Sequence, residues 1–204
     1  SPKSPYRSPP TFEQWFGEPL AKRPWEEASA TLQSERDSAS PEALRTAAAI
    51  VTRAAAVDTN AIEGFYDVDR GFTFSVATHA PTWQAAFDEK GAQARSMFEA
   101  QLRAFELVLD AATNELPVSE ALIRALHGHV CATQETYRVL TAVGWQDHSL
   151  EKGAYKQYPN NPRTADGNEH AYAPVEEVTH EMASLVAELR SELFLQAPAP
   201  IQAA

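Results

Sequence analysis

The 204-residue chain has the length of about one domain and enough residues to bury a core without disulfides or bound metal. Its 17 basic and 28 acidic side chains give a formal charge of −11, so a phosphate backbone would repel it and nucleic acid is not expected as a partner. The single cysteine, Cys131, excludes an internal disulfide and a cysteine-based zinc site.

The sequence also carries no signal for a membrane. No apolar stretch approaches the ~20 residues that a membrane-spanning helix needs. The first residues are Ser, Pro and Lys, without the apolar segment of a signal peptide. Together with the lone cysteine, which fits a reducing compartment, these features predict a cytoplasmic protein without membrane contacts.

Residues 1–40 differ in composition from the rest and form a Pro/Ser-rich N-terminal arm, with six prolines in the first 24 residues. We predict disorder over about residues 1–10 and irregular or short helical structure over 11–30. The second stretch is expected to lie on the body because its aromatic side chains need burial; these are Phe12, Trp15, Phe16 and Trp25.

The folded body, residues 41–204, begins at a helix signal. Ser40 is a suitable N-cap, Pro41 suits the first helical position, and an Ala-rich stretch follows. The apolar stripe predicts a helix over 41–57, and Asp58 and Thr59 are expected to break it, with a second helix starting near Asn60.

Two further helices are predicted in the middle of the chain. Residues 81–112 have a helical pattern that Gly91 is expected to bend or interrupt. Its predicted buried face consists of Phe98, Leu102, Phe105 and Leu109. Ser119 is expected to cap the next helix, whose predicted core side consists of Leu122, Leu126 and Val130.

Turn residues at 160–162 and 166–168 predict a hairpin or a long loop over residues 153–172. A last helix is expected from Pro174, ended by Pro198 and Pro200. Its predicted apolar face consists of Val178, Met182, Leu185, Leu189 and Leu193. The fold class is therefore all-α with one small β element. Residues 200–204 have the pattern of a new helix beginning, which is more typical of a fragment than of a natural end.

Residues 59–64 read Thr-Asn-Ala-Ile-Glu-Gly. On a helix Thr59 and Glu63 would share one face, because positions i and i+4 are neighbours there. By periodicity alone the pattern also fits a short capped helix with one solvated glutamate. It resembles the inhibitory-helix motif, Ser/Thr-x-x-x-Glu-Gly/Asn, of Fic-domain proteins.

Three more segments resemble Fic proteins, in the family's order along the chain. Residues 121–127 are similar to the Fic helix that carries a Leu-His pair. Residues 153–156, Gly-Ala-Tyr-Lys, with Tyr-Ala-Pro at 172–174, are similar to the flap that docks the target protein. Residues 178–189 are similar to the helix just before the catalytic segment. The resemblance covers about residues 41–204 and implies a Fic-like helical bundle with one small β-hairpin flap.

The family's catalytic stretch, His-x-Phe-x-Asp/Glu-Gly-Asn-Gly-Arg, is absent from the sequence. The one Asp-Gly-Asn, at residues 166–168, lies inside the flap without the family's flanking residues, and we interpret it as a turn. No catalytic residue is therefore assigned in this chain. The simplest interpretation is the N-terminal part of a Fic protein, ending before the catalytic segment.

The resemblance implies that the complete protein moves AMP from ATP, with Mg²⁺, to a Ser, Thr or Tyr hydroxyl of a protein target. No cofactor is expected for this chain alone, so whether it is an enzyme stays open. The implied regulatory residues are Thr59, Glu63 and Gly64. Glu63 would pair with an arginine of the missing segment that otherwise grips the γ-phosphate. The implied docking residues are Gly153, Tyr155, Lys156 and Gln157, whose backbone would hold a target segment as an added strand.

An alternative from another class is a non-catalytic α-helical module that holds a partner segment along the 153–172 hairpin. A Fic relative that transfers a different nucleotide or phosphate group also stays open. His127 and His129 point apart on a helix, so no metal site is predicted. The sequence leaves the oligomeric state open, a homo-oligomer included.

Overall fold

The computed structural model describes residues 6–15, 22–62, 70–78, 83–88, 90–162 and 165–202. Within these ranges the chain is mostly helical and has one small antiparallel hairpin, which confirms the predicted class. The helices are α1 (Phe12–Trp15), α2 (Lys22–Ser38), α3 (Pro41–Ile62), α4 (Arg70–Thr78), α5 (Trp83–Asp88), α6 (Ala92–Thr113), α7 (Glu120–Val130), α8 (Val178–Leu189), α9 (Glu192–Leu195) and α10 (Ala199–Gln202). The strands are β1 (Thr136–Thr141) and β2 (Gly144–Ser149), and a 3-10 turn at Val175–Glu177 leads into α8.

The chain divides into two compact units. The first comprises Ser1–Lys22, Pro117–Ala125 and Gln134–Ala204, and the second comprises Arg23–Leu116 and Leu126–Thr133. None of the helices in the described ranges is long and apolar enough to cross a bilayer.

The core of the second unit is built by α3, α4, α5 and α6. The rings of Phe87 and Phe98 are fully buried and stack with their centroids 4.6 Å apart. Trp83 meets Phe98 edge to face at 4.9 Å. Small side chains on α3 and α6 allow the close approach of these helices; the cluster also contains Ala56, Val57, Val76 and Ala94. This aromatic cluster forms the core of the unit among the residues that the structure describes.

Helix α3 begins as predicted but ends later. The Ser40 Oγ accepts a hydrogen bond from the Ala43 N–H at 3.1 Å, which confirms the N-cap. The predicted break at Asp58 and Thr59 is wrong, because the helix continues to Ile62. Asp58 does not cap a new helix; its carboxylate accepts a hydrogen bond from Thr73 Oγ1 of α4 at 3.0 Å.

The N-terminal stretch is more helical than its prolines suggested. Residues 11–30 contain the short α1, as expected, but also the first half of α2, which runs for 17 residues. Glu, Ala, Leu, Gln and Arg favour this helix. Phe12 is 3% exposed, as predicted, whereas Trp25 is 40% exposed, so its expected burial is wrong. The Trp15 side chain and Phe16 lie outside the described residues.

Gly91 separates α5 from α6, as predicted, with a backbone φ of +91° at the start of α6. Phe98 is buried, and Leu102 and Phe105 pack against the core. Leu109 is 44% exposed, contrary to prediction. The Ser119 Oγ accepts the Leu122 N–H at 3.2 Å, which confirms the predicted cap of α7.

Three predicted core positions of the later helices are exposed in the structure. On α7, Leu122 and Leu126 are half-buried while Val130 is exposed. Helix α8 ends at Leu189 rather than at the prolines, because Ser191 caps the separate helix α9 through the Phe194 N–H at 3.2 Å. The predicted apolar face is therefore split, and its members Leu185 and Leu193 are exposed. The expected helix near residue 200 is present as α10.

The hairpin lies earlier in the chain than the β element predicted at 153–172. Strands β1 and β2 pair antiparallel, with Thr136 opposite Ser149 and Thr141 opposite Gly144. Val139 is buried on one face. On the other face Leu140 lies opposite Trp145, both 62% exposed, next to an ion pair of Arg138 with Asp147 at 3.6 Å. The described residues of the 153–172 segment form a long loop, which is the second of the two forms that its turn residues predicted.

Candidate functional site

The loop after β2 is attached to the first turns of helix α7. The Arg124 Nε donates a hydrogen bond to the Gly153 carbonyl oxygen. Gly153 has a φ of +75°, and a Cβ added there would lie 2.8 Å from the Arg124 carbonyl oxygen. This position therefore requires glycine, both for its backbone conformation and for the close approach to α7.

Tyr155 makes the second attachment of the loop to α7. Its hydroxyl donates a hydrogen bond to Glu120 Oε2 at 2.5 Å, and the Arg124 guanidinium lies 5.5 Å from the centre of its ring. The hydrogen bond to the Glu120 carboxylate raises the pKa of Tyr155 above its ordinary value, and partial burial adds to the effect. Glu120 and Arg124 are one helical turn apart, so both can hold residues 153–155 from the same face of α7.

Lys156 is directed into the loop itself. Its Nζ donates to Asn160 Oδ1 at 2.6 Å and lies 5.9 Å from the centre of the Tyr172 ring. Burial lowers the pKa of Lys156. The neighbouring Gln157 is exposed. In the described part of the chain no strand includes residues 155–157, so the extended edge expected for target docking is not formed in this structure.

Polar contacts close the far part of the loop. The Tyr172 N–H donates to Asn161 Oδ1 at 2.9 Å, and the Asn161 Nδ2 donates to Glu169 Oε1 at 2.7 Å. The His170 N–H donates to the Pro162 carbonyl at 2.9 Å. Both ends of the loop are therefore fixed by direct hydrogen bonds.

Residues 165–167 form the turn at the tip of the loop. Gly167 has a φ of +84°, and the Asp166 carboxylate accepts a hydrogen bond from the Asn168 Nδ2 at 2.7 Å. The interpretation of this Asp-Gly-Asn as a turn sequence agrees with that geometry.

The predicted regulatory residues are described only in part. Thr59 is half-buried near the end of α3, whereas Glu63 and Gly64 lie outside the described residues. Between them, Asn60 is 3% exposed, and its Nδ2 has no hydrogen-bond partner among the described residues. Sequence reasoning missed Asn60 because a polar residue at this spacing resembles the solvated end of a helix.

Sequence reasoning also missed Glu120 and Arg124 as parts of the site. Their i, i+4 spacing on a helix was a visible signal, but such pairs usually bind each other at the surface. Here each binds the loop instead.

His127 and Cys131 form a separate pair at the end of α7. The Cys131 Sγ lies 3.5 Å from His127 Nε2. Within the ranges that the structure describes, no group of three or more His, Cys, Asp or Glu residues is arranged to hold a metal ion.

Comparison with known proteins gives no relative for this chain. No protein-family model matches it, and no curated protein or solved structure matches it either.

Proposed function

We propose that this chain is the inhibitory and target-docking part of a Fic-type protein adenylyltransferase. The observation that supports the proposal is the contact of the loop at 153–155 with α7. These are two of the four segments whose sequences resemble Fic proteins, and Arg124 and Gly153 are 29 residues apart in the chain. A segment that presents a target to an active site must be held in a fixed place, and these contacts can hold it.

The roles of this chain's residues differ from those of the complete protein. In the complete protein ATP would supply the nucleotide, and Mg²⁺ would neutralise the charge of its phosphates. The segment that would bind them is not in this sequence. In this chain Tyr155 and Lys156 shape the docking loop, and Gln157 offers an exposed contact for the target protein. We place the complete protein in the cytoplasm, where the single cysteine would stay reduced.

Glu63 is assigned the inhibitory role. Its carboxylate would pair with the arginine that otherwise grips the γ-phosphate, and it would also repel the triphosphate directly. A contact ion pair at an effective dielectric constant near 20 amounts to about 4 kcal/mol before desolvation. Half of that energy would lower productive nucleotide binding by more than tenfold, since about 1.4 kcal/mol corresponds to one decade. Thr59, one turn earlier, would fix the inhibitory helix.

The proposal is tested on the protein encoded by the complete reading frame. Incubation with Mg²⁺ and ATP labelled on its α-phosphate is expected to place label on protein hydroxyls. Glu63→Gly is expected to raise this labelling by about tenfold or more, because it removes the carboxylate. The chain ending at Ala204 serves as the control and is expected to give no labelling and no Mg²⁺-dependent ATP binding by calorimetry.

A matched variant separates charge from helix loosening. Glycine also weakens a helix by about 1 kcal/mol, whereas Glu63→Gln keeps the helix and removes only the charge. Activation by both variants supports an electrostatic brake, and activation by glycine alone supports a conformational one. A reading frame without the His-x-Phe-x-Asp/Glu-Gly-Asn-Gly-Arg stretch after Ala204 would refute the proposed enzymatic function.

The second candidate, a helical binding module, needs no catalytic segment. The loop closed by Asn161, with an exposed tip at residues 165–168, favours it as a rigid contact surface. This candidate is favoured if the reading frame stops directly after Ala204.

A further inference from the structure

A segment near the start of the chain is fastened along helices α8 and α9. This segment, residues 6–14, is called the strap here. The Ser8 hydroxyl donates a hydrogen bond to Glu181 Oε1 at 2.5 Å. The Phe12 N–H donates to Glu188 Oε2 at 3.3 Å. The Phe12 ring is 3% exposed and meets the Phe194 ring edge to face, with centroids 5.1 Å apart.

The strap is held mainly by side-chain contacts, because its backbone makes few hydrogen bonds of its own. Residues 6–11 form neither helix nor strand, and Pro9 and Pro10 lack a backbone N–H donor. The described attachments include the Phe12 aromatic anchor, the hydrogen bonds of Ser8 and Phe12 to carboxylates, and a side-chain hydrogen bond of Tyr6 with Glu181. A contact of this size is of the kind that a single chemical change can release.

The surface beneath the Ser8 end of the strap is acidic. Glu177 ends the 3-10 turn before α8, and Glu181 lies in the first turn of α8. Both carboxylates act on Tyr6, and together with burial, the largest cause, they raise its pKa. A neutral hydroxyl donor at Ser8 suits this surface, whereas an added negative charge there would be repelled.

We propose that Ser8 is a modification site, and that covalent addition of a phosphoryl group to its hydroxyl releases the strap from α8. Ser8 is exposed, so a modifying enzyme can reach it while the strap is docked. A nucleoside triphosphate is the donor: the Ser8 oxygen bonds to the γ-phosphorus, the bond from that phosphorus to the bridging oxygen breaks, the diphosphate leaves, and the hydroxyl proton passes to solvent.

The chemistry of the phosphoryl group explains the release. The hydroxyl donor of Ser8 is lost, and a group of charge about −1.5 to −2 stands in its place against Glu181. The hydrogen bond becomes a repulsion between like charges at the same position. This inference does not depend on the proposed enzymatic function, because it uses only contacts between the strap, α8 and α9.

The test follows cleavage after Phe12 by chymotrypsin in the full chain. The protease must bind the Phe12 ring, which is buried while the strap is docked, so the cleavage rate reports release. We expect Ser8→phosphoserine, introduced during synthesis, to raise this rate by at least tenfold. The control is Ser34→phosphoserine, which places the same group on an exposed position of α2 and is expected to leave the rate unchanged.

Two variants distinguish repulsion from simple loss of a hydrogen bond. Ser8→Ala removes the donor without adding charge, and a rise much smaller than that of phosphoserine is expected. Glu181→Lys in the phosphoserine chain is expected to restore protection, because the ammonium group pairs with the phosphate. An unchanged rate with phosphoserine, or an equal rise with Ser8→Ala, would overturn the proposal; so would a failure of Glu181→Lys to restore protection.

Discussion

Position 153 requires glycine for two reasons, and both concern the place that a Cβ atom would occupy. Its φ of +75° is unfavourable for residues with a Cβ, and the space beside it is taken by the Arg124 carbonyl oxygen. Gly167 has a similar φ of +84°, but nothing lies within 4 Å of an added Cβ there. The two glycines therefore separate the conformational requirement from the steric one.

This pair gives a matched prediction of stability. Gly167→Ala is expected to lower the free energy of unfolding by about 1 kcal/mol, the cost of a left-handed backbone conformation. Gly153→Ala adds a clash with a backbone atom and is expected to cost about 2 kcal/mol or more. Denaturant unfolding of the two variants measures the difference. Equal losses would show that α7 and the loop separate without cost.

Tyr155 gives a prediction with a pH dependence. Because the folded state raises its pKa above 10.0, the folded protein holds the phenol proton more tightly than the unfolded chain. The stability from this group is therefore fully present below about pH 10 and is lost as the pH rises through the folded pKa. Tyr155→Phe is expected to cost about 1 kcal/mol at neutral pH and to weaken the alkaline decline of stability.

Glu120→Gln is the control for that pH effect. The glutamine oxygen can still accept the Tyr155 hydrogen bond, but this bond no longer goes to a carboxylate, and the charge of Glu120, which adds to the raised pKa of Tyr155, is lost. Unfolding curves at neutral and alkaline pH are expected to show a smaller alkaline decline for this variant than for the wild type. If both variants keep the full decline, Tyr155 does not cause it.

At the scale of elements, the Ser119 cap positions the start of α7, and with it Glu120 and Arg124. Ser119→Ala removes the acceptor of the Leu122 N–H and is expected to lower the free energy of unfolding by about 1 kcal/mol. Ser184→Ala, at an exposed position inside α8, is expected to be neutral or slightly stabilising. Thermal unfolding of the two variants checks this, and a loss at Ser184 as large as at Ser119 would contradict the role of the cap.

Local signals in the sequence predicted the starts of α3, α6 and α7. The caps at Ser40 and Ser119 and the interruption at Gly91 involve atoms within three or four residues of each other, so the sequence contains them directly. The hydrogen bond between Asp58 of α3 and Thr73 joins residues 15 positions apart and could not be predicted in this way. The contacts of the candidate site could not be predicted for the same reason, because Tyr155 and Glu120 are 35 residues apart in the chain.

The hairpin was misplaced for a different reason. Its two-residue turn, Ala142 and Val143, lacks the Asn-Gly or Asp-Gly pair that usually marks such turns. The stretch Thr-Tyr-Arg-Val-Leu-Thr at residues 136–141 is rich in β-branched and aromatic side chains and was the usable signal. The turn residues at 160–168 were a stronger signal, but they belong to a loop.

At the scale of the whole molecule, the charge of −11 governs behaviour in solution. The net charge falls to zero near pH 5.0, where repulsion between molecules is weakest. Turbidity at a fixed protein concentration is therefore expected to be highest near pH 5 and lower on either side. A monotonic change of turbidity between pH 4 and pH 8 would contradict this expectation.

Hairpin β1–β2 is the place where we expect such self-association to start. Leu140 and Trp145 form an apolar patch on its exposed face, and no third strand covers either edge in the part of the chain that the structure describes. Uncovered strand edges are templates for the strands of other molecules. Arg138 and Asp147 lie on the same face and oppose the stacking of a second hairpin there, because stacking would remove both charges from water. Aggregation during storage is therefore expected to begin at this hairpin, at a rate set by two charged side chains.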